Sequence, residues 1–133
     1  MMADAKTPAE RPLSPHLQIY KPTLTMMMSI VHRITGAALY FGTLLLVGFL
    51  VATAAGKDAH AMVGAIYGSF LGKLVLFGYT WALIHHMLGG IRHFIWDTGA
   101  GLGHPERETI VKATAVGSVA LTLALWLIFG FGK

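Results

Sequence analysis

The chain contains no cysteine, which excludes disulfides, thiolate metal sites and cysteine-ligated iron–sulfur clusters built from this chain alone. Charge is nearly as scarce: of 133 residues, 12% are charged and 55% apolar, too little polar material to clothe a soluble domain. No Gly-x-Gly-x-x-Gly run is present to cradle a flavin or nicotinamide nucleotide. No basic stripe interleaves with aromatics, so the formal charge of +4 does not read as a nucleic-acid footprint. Proline is confined almost entirely to the first 27 residues, at Pro8, Pro12, Pro15 and Pro22, with Pro105 the one exception. The remainder is thus nearly free of the strongest helix breaker.

What the chain does have is long apolar sequence. A hydrocarbon core about 30 Å thick needs roughly 20 residues of helix, and Ile34 to Ala54, Leu74 to Ile91 and Ala113 to Gly132 each supply it. The first and third carry no charged residue, and the second carries only His85 and His86. The expected fold is an all-α membrane protein with three transmembrane helices in one domain, 1–133. The helices run over about 29–54, 62–96 and 110–132, preceded by an N-terminal surface arm at 1–28. Four prolines keep that arm from being one helix. It reads as lying along the cytoplasmic surface with Leu17, Ile19 and Tyr20 against membrane or a partner, or else as a loosely ordered tail.

Residues 55–61 read as a short polar connection. Helix two is expected to begin before its strict span, because Gly64, Gly68 and Gly72 form a tandem small-xxx-small pattern that lets another helix approach. Helix three, with Gly117, Ser118, Ala120 and Ala124 among leucines, reads as packing and anchorage.

Orientation follows from the short connections. Lys6, Arg11, Lys21 and Arg33 fall before or at the start of the first span, and Arg92, Arg107 and Lys112 fall between the second and third; Lys57, Lys73 and Lys133 fall on the other side. The excess places the N-terminus in the cytoplasm and the C-terminus in the periplasm. Asp4 and Glu10, with no apolar core around them, resemble neither a secretory signal nor a transit peptide, and a bacterial inner membrane fits.

Ionisable groups at membrane depth cost several kcal/mol unless paired or solvated, which makes each a functional candidate. Arg92 and Lys73, nineteen residues apart, span about 28 Å of helix and read as one charge at each membrane face, with His86 about 9 Å inside. His85 and His86 point about 100° apart. His86 has Ala82 and Gly90 one turn either side, whereas His85 has Trp81 and Gly89. Small neighbours favour His86 as the residue facing a flat macrocycle, through imidazole ligation with a second-shell acceptor on its other nitrogen; a structural hydrogen bond is the competing reading. His93 and Asp97 continue the His86 face, fit for propionates or protons, or simply solvated. Ser29 and Arg33, an i, i+4 pair, present hydroxyl and guanidinium donors suited to quinone carbonyls or a propionate, or else only a capped positive anchor. By depth, His32 at the interface and His86 below it are too far apart to serve one metal together. Met26, Met27 and Met28 either line an adaptable pocket or pack.

Two stretches carry a family resemblance: Arg11-Pro12-Leu13 with Leu17, Leu24 and Ser29-Ile30-Val31-His32-Arg33-Ile34-Thr35-Gly36, and His86-Met-Leu-Gly-Gly90-Ile-Arg92-His93-Phe-Ile-Trp96-Asp97. In order and spacing the chain resembles the cytochrome b subunits of succinate dehydrogenase over its whole length. The resemblance implies that His86 is the axial ligand of haem b, with the second axial histidine on a companion membrane anchor subunit and His85 an alternative ligand. It implies ubiquinone binding at Ser29, Ile30 and Arg33, and haem propionates near His32, Arg33 and His93. It further implies partnership with an iron–sulfur subunit and a flavoprotein, where succinate would be oxidised; this chain would catalyse no succinate oxidation alone. The alternative is a haem-free structural anchor or a small proton-handling membrane protein.

Overall fold

The computed structural model describes residues 21–130. Most of the expected arm, with Leu17, Ile19 and Tyr20, lies outside the described residues, as does Lys133. The described chain forms helices α1 (Leu24–Ala55), α2 (Lys57–Gly68), α3 (Phe70–Asp97) and α4 (His104–Leu125), closed by a π-helical turn at Trp126–Gly130. Three helices are long and apolar enough to cross a membrane: Leu24–Ala55, Phe70–Asp97 and His104–Phe129. The protein is an all-α multi-pass membrane protein.

The connection expected at 55–61 is instead a single hinge. Gly56 adopts φ 124, a conformation that L side chains rarely take, and α2 begins at once with Asp58 in its first turn, where a carboxylate complements the helix dipole. At 12 residues, about 18 Å, α2 is too short to cross a bilayer. It folds back along α1: the Tyr67 hydroxyl donates to the Leu45 carbonyl at 2.7 Å, and Thr53 Oγ1 lies 3.0 Å from His60 Nδ1.

The helix expected from about residue 62 is also not continuous. Ser69 leaves helical geometry at ψ 160 and caps α3. Its hydroxyl donates to the Ile66 carbonyl at 2.6 Å and accepts from the Gly72 amide at 3.1 Å, so one side chain satisfies orphan groups of both helix ends. The small-xxx-small pattern therefore marks a break. A Cβ on Gly72 would meet the backbone of Ile66 and Tyr67, whereas Gly64 and Gly68 face open space.

Helix α3 sits between α1 and α4, antiparallel to both. Large apolar side chains point outward, Phe70 at 86% exposure and Tyr40 at 77%, while the buried set includes Thr35, His85, Arg92, Thr114, Ser118 and Thr122. That inversion suits lipid, where apolar contact brings helices together no better than acyl chains do and small or polar residues form the seams. On α4 the hydroxyls of Thr114, Ser118 and Thr122 each donate to a carbonyl of their own helix at 2.7–2.9 Å, which permits their burial. Trp126 Nε1 donates to Thr80 Oγ1 at 3.3 Å, fastening the far end of α4 to α3. Ser69→Ala should cost about 1 kcal/mol and lower the melting midpoint of the detergent-solubilised protein, read by circular dichroism. Ser69→Asp, which restores a capping acceptor, should recover most of the loss, and equal midpoints for all three proteins would count against the capping role.

Candidate functional site

The site lies in the seam between α1 and α3. A Cβ on Gly89 would collide with the His32 ring, and one on Gly36 would come within 3.0 Å of His86 Cε1. The two glycines thus let an imidazole of each helix enter the seam. There the rings of His32 and His86 stack with centroids 4.0 Å apart and planes 4° from parallel. His93 comes to 5.5 Å from His32 and meets Trp96 edge-on at 5.4 Å.

His86 is oriented by α1. Its Nδ1 lies 3.1 Å from the His32 carbonyl oxygen and 3.4 Å from Thr35 Oγ1, and the Thr35 hydroxyl itself donates to that carbonyl at 2.9 Å. A carbonyl only accepts, so Nδ1 carries the proton and Nε2 keeps its lone pair. This is the arrangement by which outer-shell acceptors orient a ligating imidazole. Beside it a Cβ on Gly90 would meet nothing. Toward the far end of the bundle a cavity of about 370 Å³ is lined by Ala38, Gly42, Gly78 and Ala82 with Phe41, Leu45, Val75 and Tyr79. A free imidazole lone pair suits ligation of a haem iron, and the open space at Gly90 leaves room one turn on.

His85 is turned the other way. It is 2% exposed, faces α4 with Nδ1 3.1 Å from Ser118 Oγ, and leans on Trp81 at 5.2 Å. The part played by Ser118 is a correction to the reading of α4 as packing alone. The signal lay in Thr114, Ser118 and Thr122, spaced by four and hence on one face.

His32 also departs from expectation. Its ring stacks on that of His86, so the two lie at one level and not one below the other. A shared iron between them is still excluded, now by orientation: lone pairs lie in the ring planes, and face-stacked rings cannot aim both at one ion. Arg92, expected to anchor at the membrane face, is 3% exposed with its guanidinium carbon 5.2 Å from the Trp96 ring centroid, drawn inward because its side chain faces α4. Ser29, Ile30 and Arg33 are exposed on α1. Ser29, Arg33 and Gly36 share one stripe, so the expected quinone residues run along α1 into the ring of His86. Met28 is buried and Met27 exposed, so the methionine run does not line one pocket.

A family model described as succinate dehydrogenase/fumarate reductase transmembrane subunit matches residues 7–129. The succinate dehydrogenase cytochrome b556 subunit of Paracoccus denitrificans is 40% identical over 128 residues, covering 96% of this chain and 98% of the relative. That of Rickettsia prowazekii is 36% identical over 118 residues, 89% of this chain and 92% of the relative. The mitochondrial cytochrome b560 subunit of Sus scrofa is 38% identical over 119 residues, 88% of this chain and 67% of the relative. With the match running through all three long helices and the whole histidine cluster, the chain belongs to the succinate dehydrogenase/fumarate reductase transmembrane subunit family.

Proposed function

We propose that this chain is the membrane-anchoring cytochrome b subunit of a bacterial succinate dehydrogenase. In this reading it holds haem b through His86 and binds ubiquinone at Ser29, Ile30 and Arg33. The observation that carries the reading is the His86 hydrogen bond to the His32 carbonyl, which leaves Nε2 as a lone pair, with open space at Gly90 one turn on. Any further histidine for the haem would come from the second membrane anchor subunit, since His32 is stacked face-on and His85 is committed to α4. A haem held there supplies reversible one-electron storage.

The chain's own residues bind and orient. Ser29 and Arg33 have no hydrogen-bond or ion-pair partner among the described residues and face outward, so both are available to donate to a quinone carbonyl oxygen. The guanidinium stabilises the negative charge that builds there on reduction. Ile30 offers an apolar contact beside them. His32, Arg33 and His93 stand at the same end of the seam, suited to haem propionates through charge-assisted contacts. Electrons reach the quinone from an iron–sulfur subunit and, before it, from a flavoprotein that oxidises succinate. With no cysteine and no dinucleotide loop, this chain does neither step itself. The excess of Lys and Arg at the end bearing the site supports an orientation with that end and the N-terminus in the cytoplasm and the C-terminus in the periplasm of a bacterial inner membrane.

In the complex purified from native membranes, His86→Leu should abolish the b-type haem band in a reduced-minus-oxidised visible spectrum, and His85→Leu should keep it. An intact wild-type complex without the band would leave a haem-free anchor. Ser29→Ala combined with Arg33→Leu should lower quinone reductase activity about tenfold or more, from the loss of two hydrogen-bond donors. Succinate oxidation with an artificial soluble acceptor should be unchanged, and parallel loss of both activities would count against the quinone assignment.

A further inference from the structure

Arg92 belongs to no part of the site just described. It lies on the face of α3 turned toward α4, the face of His85 seven residues earlier, whereas the histidine seam faces α1. Its guanidinium is buried, and neither Nε nor Nη1 has an acceptor. Among the described residues the ion pairs join Glu108 to His104 and to Lys112, so no carboxylate neutralises it. Arg107 stands seven residues before Thr114 on the buried side of α4, and its Nε also lacks an acceptor. A buried guanidinium, covered by Trp96 alone, and a half-buried one thus occur on the facing sides of one helix pair with no ion-pair partner among the described residues. A buried cation without a counterion is strongly destabilising.

The space beside Arg92 says what the counterion is. A cavity of about 270 Å³ is walled by Leu88, Ile91 and Ile95 of α3 and Ile110, Ala113 and Thr114 of α4, with Arg92 its single charged side chain. Ile91 and Ile95 are 48% and 38% exposed on the lipid side, and Thr114 spends its hydroxyl proton on the Ile110 carbonyl. The occupant must therefore be anionic at one end and aliphatic along its length. Arg92 lies five residues before the end of α3, about 7.5 Å, near headgroup depth at the basic end of the bundle. Basic pockets between helices at that leaflet suit anionic phospholipid head groups.

We propose that the α3–α4 groove is a binding site for an anionic phospholipid, with the phosphate on Arg92 and on Arg107 at the rim, and an acyl chain along Leu88, Ile91 and Ala113. The test uses the whole complex, washed extensively in neutral detergent, its retained phospholipid identified by native mass spectrometry, and then titrated with phosphatidylglycerol, phosphatidylcholine or inorganic phosphate while the melting midpoint is followed. Wild type should retain an anionic phospholipid and be stabilised by phosphatidylglycerol alone. Arg92→Gln should bind phosphatidylglycerol about tenfold more weakly with its visible spectrum unchanged, and Arg92→Lys should fall between. Equal retention and response in wild type and Arg92→Gln would overturn the proposal. So would stabilisation by inorganic phosphate alone, which indicates a free-anion site, or a wild type indifferent to all three, which indicates a carboxylate from another subunit. Should Arg92→Gln fail to assemble, the wild-type titrations and Arg92→Lys decide.

Discussion

One hydrogen bond organises the seam between α1 and α3: His86 Nδ1 to the His32 carbonyl. In water such a bond would contribute little net free energy, because both partners have equivalent bonds to solvent when apart. In hydrocarbon no solvent competes, and burial of apolar surface does not drive one helix onto another. Helix pairing must come from close packing and from polar groups that find each other. Gly36 and Gly89 bring the backbones near, the imidazoles fill the space the glycines leave, and Thr35 ties the accepting carbonyl into the same network. The bond that holds the helices together is also the bond that decides which His86 nitrogen is free.

Adjacent histidines divide the work. Both His85 and His86 engage through Nδ1, but with opposite neighbours. Ser118 gives its proton to the Ala115 carbonyl at 2.8 Å and so can only accept from His85. His85 thereby fastens α3 to α4, while His86 faces α1. A single helical step of about 100° separates a residue that builds the bundle from one that serves the site.

The sequence revealed the broad architecture because apolar length and proline placement act locally. Three spans and the shared face of His86 and His93, both of which come to the His32 ring, were legible from spacing. The break at Ser69 was not. Gly64, Gly68 and Gly72 look the same in a small-xxx-small pattern whether they receive another helix or a fold in their own, and only the Ile66 carbonyl over Gly72 distinguishes the two. The level of His32 relative to His86 was misread as well, because the register of α1 against α3 rests on contacts between the helices, Gly89 against His32 and Gly36 against His86, that spacing within one helix does not carry. Arg92 was read from its charge as an interfacial anchor, although its angular position, shared with His85, already turned it toward α4.

The dependence of His86 on a carbonyl from another helix has a consequence in time. Neither helix alone contains the arrangement that exposes Nε2 with its proton held elsewhere, because the acceptor is the main chain of α1 and the imidazole belongs to α3. The binding-ready nitrogen comes into being only when the two segments, separated in synthesis by α2 and the Ser69 turn, have both been inserted and have met. On the proposed reading of His86, capture of haem would therefore be a late event in biogenesis, one that reports a correctly paired hairpin.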